Sequence, residues 1–223
     1  SATCLHMLID RGRVDLDAPV ARYWPEFGQA GKANVLVRHV LDHRAGLPVL
    51  NEPLHPRAMF DHRLMVDALA RMAPLWEPGT QAGYHIHNQG FLIDEIVRRV
   101  AGRTLPQFLR DEITGPLGLD YHFGLGPADQ ARCADFIQAT EGTIFAARNG
   151  DPAKIVSRAW DQLPDPLDLN TPEWREATIT SASGHGNARA IARLYGALAR
   201  GGELDGVRLM SAATLERAIT EQH

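Results

Sequence analysis

Apolar residues in this chain recur at helical spacing, and each such run is stopped by glycine or proline, while alternating runs of β-branched residues are scarce. The pattern predicts a chain built mainly of helices with little sheet. Leu5, Leu8 and Ile9 define a first helix that ends near Arg11, before Gly12. Val37, Val40 and Leu41 mark a second, from about Val37 to Arg44, with Gly46 and Pro48 beyond it. Leu64, Met65, Ala68 and Leu69 mark a third that gives way at Pro74. Phe91, Leu92 and Ile96 lie on one side of a fourth, from about Asn88 to Val100, stopped by Gly102.

Capping residues extend the reading. Thr104, with Gln107 three positions on, forms a capping box ahead of Leu105, Phe108 and Leu109, and Pro116 to Leu119 closes that helix. Tyr23-Trp24 before Pro25 suits a turn and a short extended segment, and Asn51 to Pro56 reads as a loop. Residues 127 to 182 predict loops with one or two short helices. From Asn187, the residues Ala188, Ile191, Ala192, Tyr195, Leu198 and Ala199 line one face of a helix stopped by Gly201-Gly202. Asp205-Gly206 turns a short hairpin, and Ser211 caps a last helix through Leu215 and Ile219 to His223.

Composition bounds the function. At 223 residues the chain buries a substantial core, and a net charge of −4 lacks the basic footprint of a nucleic-acid binder. No stretch has the apolar length needed to cross a bilayer. Cys4 and Cys133 have neither metal-ligand spacing nor a disulfide framework, so compartment stays open and no metal is expected. The chain begins directly in the helical run Ser1 to Ile9, which places any signal peptide upstream of Ser1.

Several local patterns follow one another in a diagnostic order. Asp10-Arg11-Gly12-Arg13-Val14-Asp15-Leu16-Asp17-Ala18-Pro19-Val20 and Val37-Arg38-His39-Val40-Leu41-Asp42-His43-Arg44-Ala45-Gly46-Leu47-Pro48 are followed by Trp76-Glu77-Pro78-Gly79-Thr80 and Tyr84. Then come Pro116-Leu117-Gly118-Leu119, the helix from Asn187 to Leu198, and Gly201 to Leu209. In this order they resemble the serine β-lactamase-like superfamily of class C β-lactamases, family VIII carboxylesterases and penicillin-binding proteins. The resemblance runs from about residue 5 to the end, with 127 to 182 contributing little. It implies an α+β, β-lactamase/transpeptidase-like fold, of which residues 1–223 cover mainly the helical part of one serine hydrolase domain, incomplete at both ends.

Such enzymes use a serine nucleophile, a lysine one helical turn later, and a tyrosine that relays protons. Serine and lysine at i and i+3 share a helix face. The tyrosine arrives from a separate loop, because a phenol acts as a base only when nearby positive charge stabilises its phenolate. By this resemblance Tyr84 is the catalytic tyrosine and His85 a candidate substrate-binding residue. The Ser-x-x-Lys motif is absent: the chain has two lysines, Lys32 and Lys154, preceded three positions earlier by Gln29 and Asp151. The family places that motif just upstream of Ser1, and its Lys-Thr-Gly or His-x-Gly strand beyond His223. His185-Gly186 reads as the entry turn of the Asn187 helix rather than as that strand.

The β-lactamase pattern Tyr-x-Asn is broken here by Ile86, and Asn88 is misplaced for the role, which favours an esterase. The implied function is therefore acyl-enzyme hydrolysis of small carboxylic esters without a cofactor. The alternatives are a β-lactamase or D-alanyl carboxypeptidase, acting on an amide, and a non-catalytic binding homologue. Oligomeric state is left open. His43, and with it His39, reads as a residue at a helix C-terminus that caps carbonyls. His87 reads as a surface residue, Ser181 and Ser183 as loop serines, and Trp76, Trp160 and Trp174 as fillers of core or loop cavities. Helices built to cover a sheet predict exposed apolar surface where no sheet lies against them. Residues 1–223 expressed alone are expected to turn over no p-nitrophenyl ester; turnover that disappears in Tyr84→Phe would overturn this.

Overall fold

The computed structural model describes residues 1–55, 57–137, 150–151, 153–160, 162 and 168–222. Helix α1 (Ala2–Asp10) ends one residue before the expected position, and Gly12 follows at φ +66°, a left-handed conformation that a glycine adopts at little cost. Short 3₁₀ turns at Val20–Arg22 and Pro25–Gly28 replace the expected turn and extended segment around Tyr23-Trp24. Helix α2 (Val37–Leu41) is shorter than its sequence pattern, because His43 at φ +63° turns the chain away before Arg44. Helix α3 (His62–Arg71) is capped by the Asp61 carboxylate, which accepts from the Leu64 N–H.

Helix α4 (Asn88–Ala101) forms the centre of the molecule. Phe91, Leu92, Ile93, Ile96 and Val97 are all buried, and α1, α2, α3 and α5 (Leu105–Leu109) pack around it. Burial on so many sides also encloses polar side chains, and each is satisfied. Asp94 Oδ1 accepts from the Leu105 N–H at 3.1 Å, and burial pushes its carboxyl above the usual range. Burial acts on Glu95 in the same direction, but hydrogen bonds from Arg98 and Arg99 outweigh it and hold the carboxyl below its usual value. Gly102 closes α4 at φ +72°.

The Thr104–Gln107 capping box opens α5 as the sequence predicts, and the chain continues as one turn of π-helix over Arg110–Thr114. Strand β1 (Tyr121–Phe123) then pairs antiparallel with β2 (Gly184–Gly186), with His122 opposite His185. His185-Gly186 is thus strand rather than the entry turn the sequence suggested. Side-chain-free glycines allow it: a Cβ on Gly184 would sit 2.1 Å from the Tyr121 hydroxyl. Between these strands the described residues form three short helices, α6 (Pro127–Gln130), α7 (Ile155–Trp160) and α8 (Pro172–Glu176), where one or two were expected. Residues 138–149, 152, 161 and 163–167 of that stretch lie outside the described residues, as do Pro56 and His223.

Asn187 caps α9 (Ala188–Ala199), the strands β3 (Glu203–Leu204) and β4 (Val207–Arg208) form the predicted hairpin, and Ser211 caps α10 (Ala212–Ile219). Asp10 joins the two ends of the chain, since its Oδ1 accepts from the Ser211 N–H, the Ser211 hydroxyl and the Thr214 hydroxyl. The apolar face predicted for α9 points outward. Ala190 and Ala197 are buried, whereas Tyr195 is 65% exposed, and Ile219 on α10 is 74% exposed. The described residues thus form a helical, α+β arrangement with two small two-stranded sheets.

A close contact fixes α4 against the segment before β2. A Cβ on Gly90 would lie 2.5 Å from the Ser181 nitrogen and 2.7 Å from its Oγ. Gly90→Ala is therefore expected to lower stability by about 1–3 kcal/mol despite the better helix propensity of alanine. A urea midpoint equal to or above that of the unaltered protein would show that the segment yields.

Candidate active site

Tyr84 stands at the end of a loop that is held at several points by main-chain hydrogen bonds. The Leu75 N–H donates to the Gly46 carbonyl at 2.8 Å, the Gly79 N–H to the Arg44 carbonyl at 2.9 Å, and the Gly83 N–H to the His43 carbonyl at 3.0 Å. Three glycines permit this approach. Gly46 and Gly79 have φ of +75° and +88°, and a Cβ on Gly83 would lie 2.5 Å from the Trp76 ring. The sequence signal, Trp76 to Thr80 followed by Tyr84, is therefore a loop pinned along the end of α2.

Two imidazoles fix the turn on either side of Tyr84. His85 is fully buried; its Nε2 accepts from the Leu47 N–H at 2.9 Å, which puts the proton on Nδ1, where it donates to the Gly83 carbonyl at 2.5 Å. His43 Nδ1 accepts from the His85 N–H at 3.1 Å, and its ring meets the Tyr84 ring edge-on, 4.6 Å between centroids. His43 therefore serves the tyrosine turn. His39 departs from its reading as a cap of helix carbonyls: its Nδ1 accepts from the Leu36 N–H at the opposite end of α2.

Tyr84 itself is 68% exposed, and its hydroxyl makes no hydrogen bond to a described residue. The expected pair is thus adjacent but differently disposed. Tyr84 faces outward, while His85 has both ring nitrogens engaged by the main chain and neither free for a substrate.

The segment before β2 meets this region from the other side. Ser181 Oγ donates to the His87 carbonyl at 2.9 Å and Thr180 Oγ1 to the Gly90 carbonyl at 2.9 Å. Ser1 Oγ donates in turn to the Thr180 carbonyl at 3.2 Å, which brings the first turn of α1 against the start of α4. Ser183, also read as a loop serine, is buried; its Oγ accepts from the Ile179 N–H at 2.9 Å and donates to the Ala177 carbonyl at 2.7 Å.

Sequence reasoning missed two buried residues here. His87 is 3% exposed rather than on the surface, with neither ring nitrogen paired to a described residue, and it lies edge-on to Trp160. Asn88 is fully buried; its Nδ2 donates to the Leu47 carbonyl at 2.9 Å, so the residue fastens the loop after α2. A polar residue opening a strongly apolar helix was the signal for Asn88. Nothing in the pattern marked His87. Among the described residues no group of His, Cys, Asp and Glu side chains is arranged to hold a metal ion, and no helix is long and apolar enough to cross a membrane.

An exposed phenol thus stands on a pinned turn beside the start of a long central helix. The β-lactamase family model matches residues 1–223, and the chain belongs to that family. It is 36% identical over 220 residues to the esterase/β-lactamase LipL of Mycobacterium tuberculosis, covering 95% of this chain and 51% of that protein. A penicillin-binding protein homologue from Caulobacter crescentus superimposes with a TM-score of 0.86 at 40% identity, over 100% of this chain and 58% of the homologue. A family VIII carboxylesterase does so at 0.87 and 34% identity, again over 100% and 58%. The chain thus spans a little over half the length of these relatives.

Burial pushes the imidazoles of His85 and His87 down to about 4 from 6.5, so both are neutral in the native protein. Between these values the unfolded chain binds more protons than the folded one, and stability is lost as pH falls from about 6.5 toward 4. Each imidazole accounts for a loss of up to about 3 kcal/mol. His87→Leu, which also removes two buried nitrogens that no described residue pairs, is expected to flatten this acid slope by roughly half and raise the urea midpoint at pH 5. Identical slopes between pH 7 and 5 for both proteins would refute it.

Proposed function

We propose that the complete protein hydrolyses small carboxylic esters through an acyl-enzyme, with Tyr84 as the proton relay. The observation that carries this reading is the uncommitted Tyr84 hydroxyl on a turn immobilised by His43 and His85. A proton relay needs a hydroxyl that is free to exchange partners, on a backbone that does not move. The nucleophilic serine and its lysine belong to the segment expected upstream of Ser1, and the hydrogen bond from Ser1 to Thr180 brings that end of α1 toward the start of α4.

His85 acts in this proposal as a positioning residue. Its buried ring couples Gly83 to Leu47 and so sets the direction of Tyr84, in place of the substrate contact first expected of it. Ester rather than β-lactam is favoured by Ile86, which supplies no amide two residues after the tyrosine. The substrate is thus a small molecule. A β-lactamase or D-alanyl carboxypeptidase is the second reading, and the printed name of the Mycobacterium tuberculosis relative covers both ester and β-lactam activity.

The test uses the full-length protein with p-nitrophenyl butyrate and a chromogenic cephalosporin. Tyr84→Phe is expected to lower kcat on the ester by about 10²–10⁴ while KM changes little. Faster cleavage of the cephalosporin than of the ester would select the second reading. Ester turnover unchanged by Tyr84→Phe would remove the relay, and no turnover of either substrate would favour a non-catalytic binding homologue.

A further inference from the structure

The loop segment fastened by His85 at Leu47 continues into the wall of a separate cavity of about 270 Å³. Val49, Leu50, Leu54, Met59 and Met65 give this cavity an apolar lining, and two flexible methionines make it adaptable to the shape of a chain-like ligand. Its amide groups are already committed. Gln162 Oε1 accepts from the Leu50 N–H at 2.7 Å, and the Asn51 Nδ2 donates to the Ala73 carbonyl at 2.9 Å.

Arg158, on α7, is the exception. It is half-buried in the cavity wall, and its one hydrogen bond to a described residue is a long contact, 3.4 Å from Nη2 to the Leu50 carbonyl. A guanidinium carries five N–H donors and a permanent charge. Among the described residues no carboxylate pairs with it, whereas Arg98, Arg99, Arg103, Arg132 and Arg175 each have one. Among the described residues no acidic side chain lines the cavity, and the second basic group there is the imidazole of His55. The larger cleft beside β1 and β2 differs in this respect, since Asp120 and Asp129 there already neutralise Arg132.

We infer that the cavity binds an apolar monocarboxylate, with the Arg158 guanidinium holding the carboxylate and the Met59 and Met65 side chains covering the hydrocarbon chain. The guanidinium calls for an anion that the described lining does not provide, and the apolar lining excludes small hydrophilic anions as natural occupants. This inference stands apart from ester hydrolysis, although a carboxylate on an apolar chain is the chemical class that ester cleavage releases.

Binding is measured without turnover, by calorimetry on the full-length protein with octanoate, octan-1-ol and octylammonium. Octanoate is expected to bind at least about tenfold more tightly than octan-1-ol, because a charge-assisted hydrogen bond is added to the same chain burial. Arg158→Met is expected to bring octanoate to the level of the alcohol. Equal affinities in the unaltered protein, or octanoate binding that survives Arg158→Met, would overturn the assignment. If that variant does not fold, methyl resonances of Met59 and Met65 in the unaltered protein decide: they should move with octanoate and not with octylammonium. Movement with both, or with neither, would also overturn it.

Discussion

Burial of helix α4 on several sides is the constraint from which the rest of the structure follows. A helix enclosed by α1, α2, α3 and α5 has no water to satisfy its polar side chains, so every one of them must find a partner in the protein. Asp94 takes the Leu105 N–H and so sets where α5 begins; Glu95 takes Arg98 and Arg99; Asn88 takes the Leu47 carbonyl. The Asp94 and Asn88 pairings each fix a neighbouring segment to the helix, while the Glu95 pairing lies within it. The site is built at the N-terminal end of this arrangement, where Asn88 and His85 hold the same residue, Leu47, by its carbonyl and its N–H.

That double attachment explains why the tyrosine turn can be both exposed and immobile. Tyr84 has its side chain in solvent, yet the residues on either side are tied to the loop after α2 through Gly83, His43 and His85. The same tie carries a cost. Keeping His85 and His87 neutral in a dry interior makes the region sensitive to acid, because both imidazoles gain a proton more readily in the unfolded chain. Leu47 to Leu50 also connects the tyrosine turn to the cavity beside Arg158, so the turn and the cavity share one stretch of backbone.

The exposed apolar faces of α9 and α10 have a related origin. Ile191 and Tyr195 on α9 recur at helical spacing, as residues do on a face built for packing, and here they face outward, as does Ile219 on α10. Periodicity reports that a helix has an apolar side; it does not report what lies against that side.

Most helices were legible from sequence because apolar period and caps agree: Thr104 and Ser211 each accept the main-chain N–H that the capping rule predicts, and Asp61 and Asn187, found only in the structure, cap their helices in the same way. The Asp205-Gly206 turn and the loop leading to Tyr84 were legible for the same local reason, since backbone conformation at these points is set by residues a few positions apart. His87, His43, His39 and the strand at His185 were not. An imidazole can be solvated, cap a helix or bridge two loops, and which of these occurs depends on partners such as His85, Leu36 or Tyr121 that lie outside its own local pattern or across the fold. The sequence by itself determined most of the helices, several of their caps and the candidate tyrosine. Only the tertiary structure decided which polar side chains are buried and what they hold, because the cost of burying a polar group is set by long-range contacts and leaves no local periodic mark.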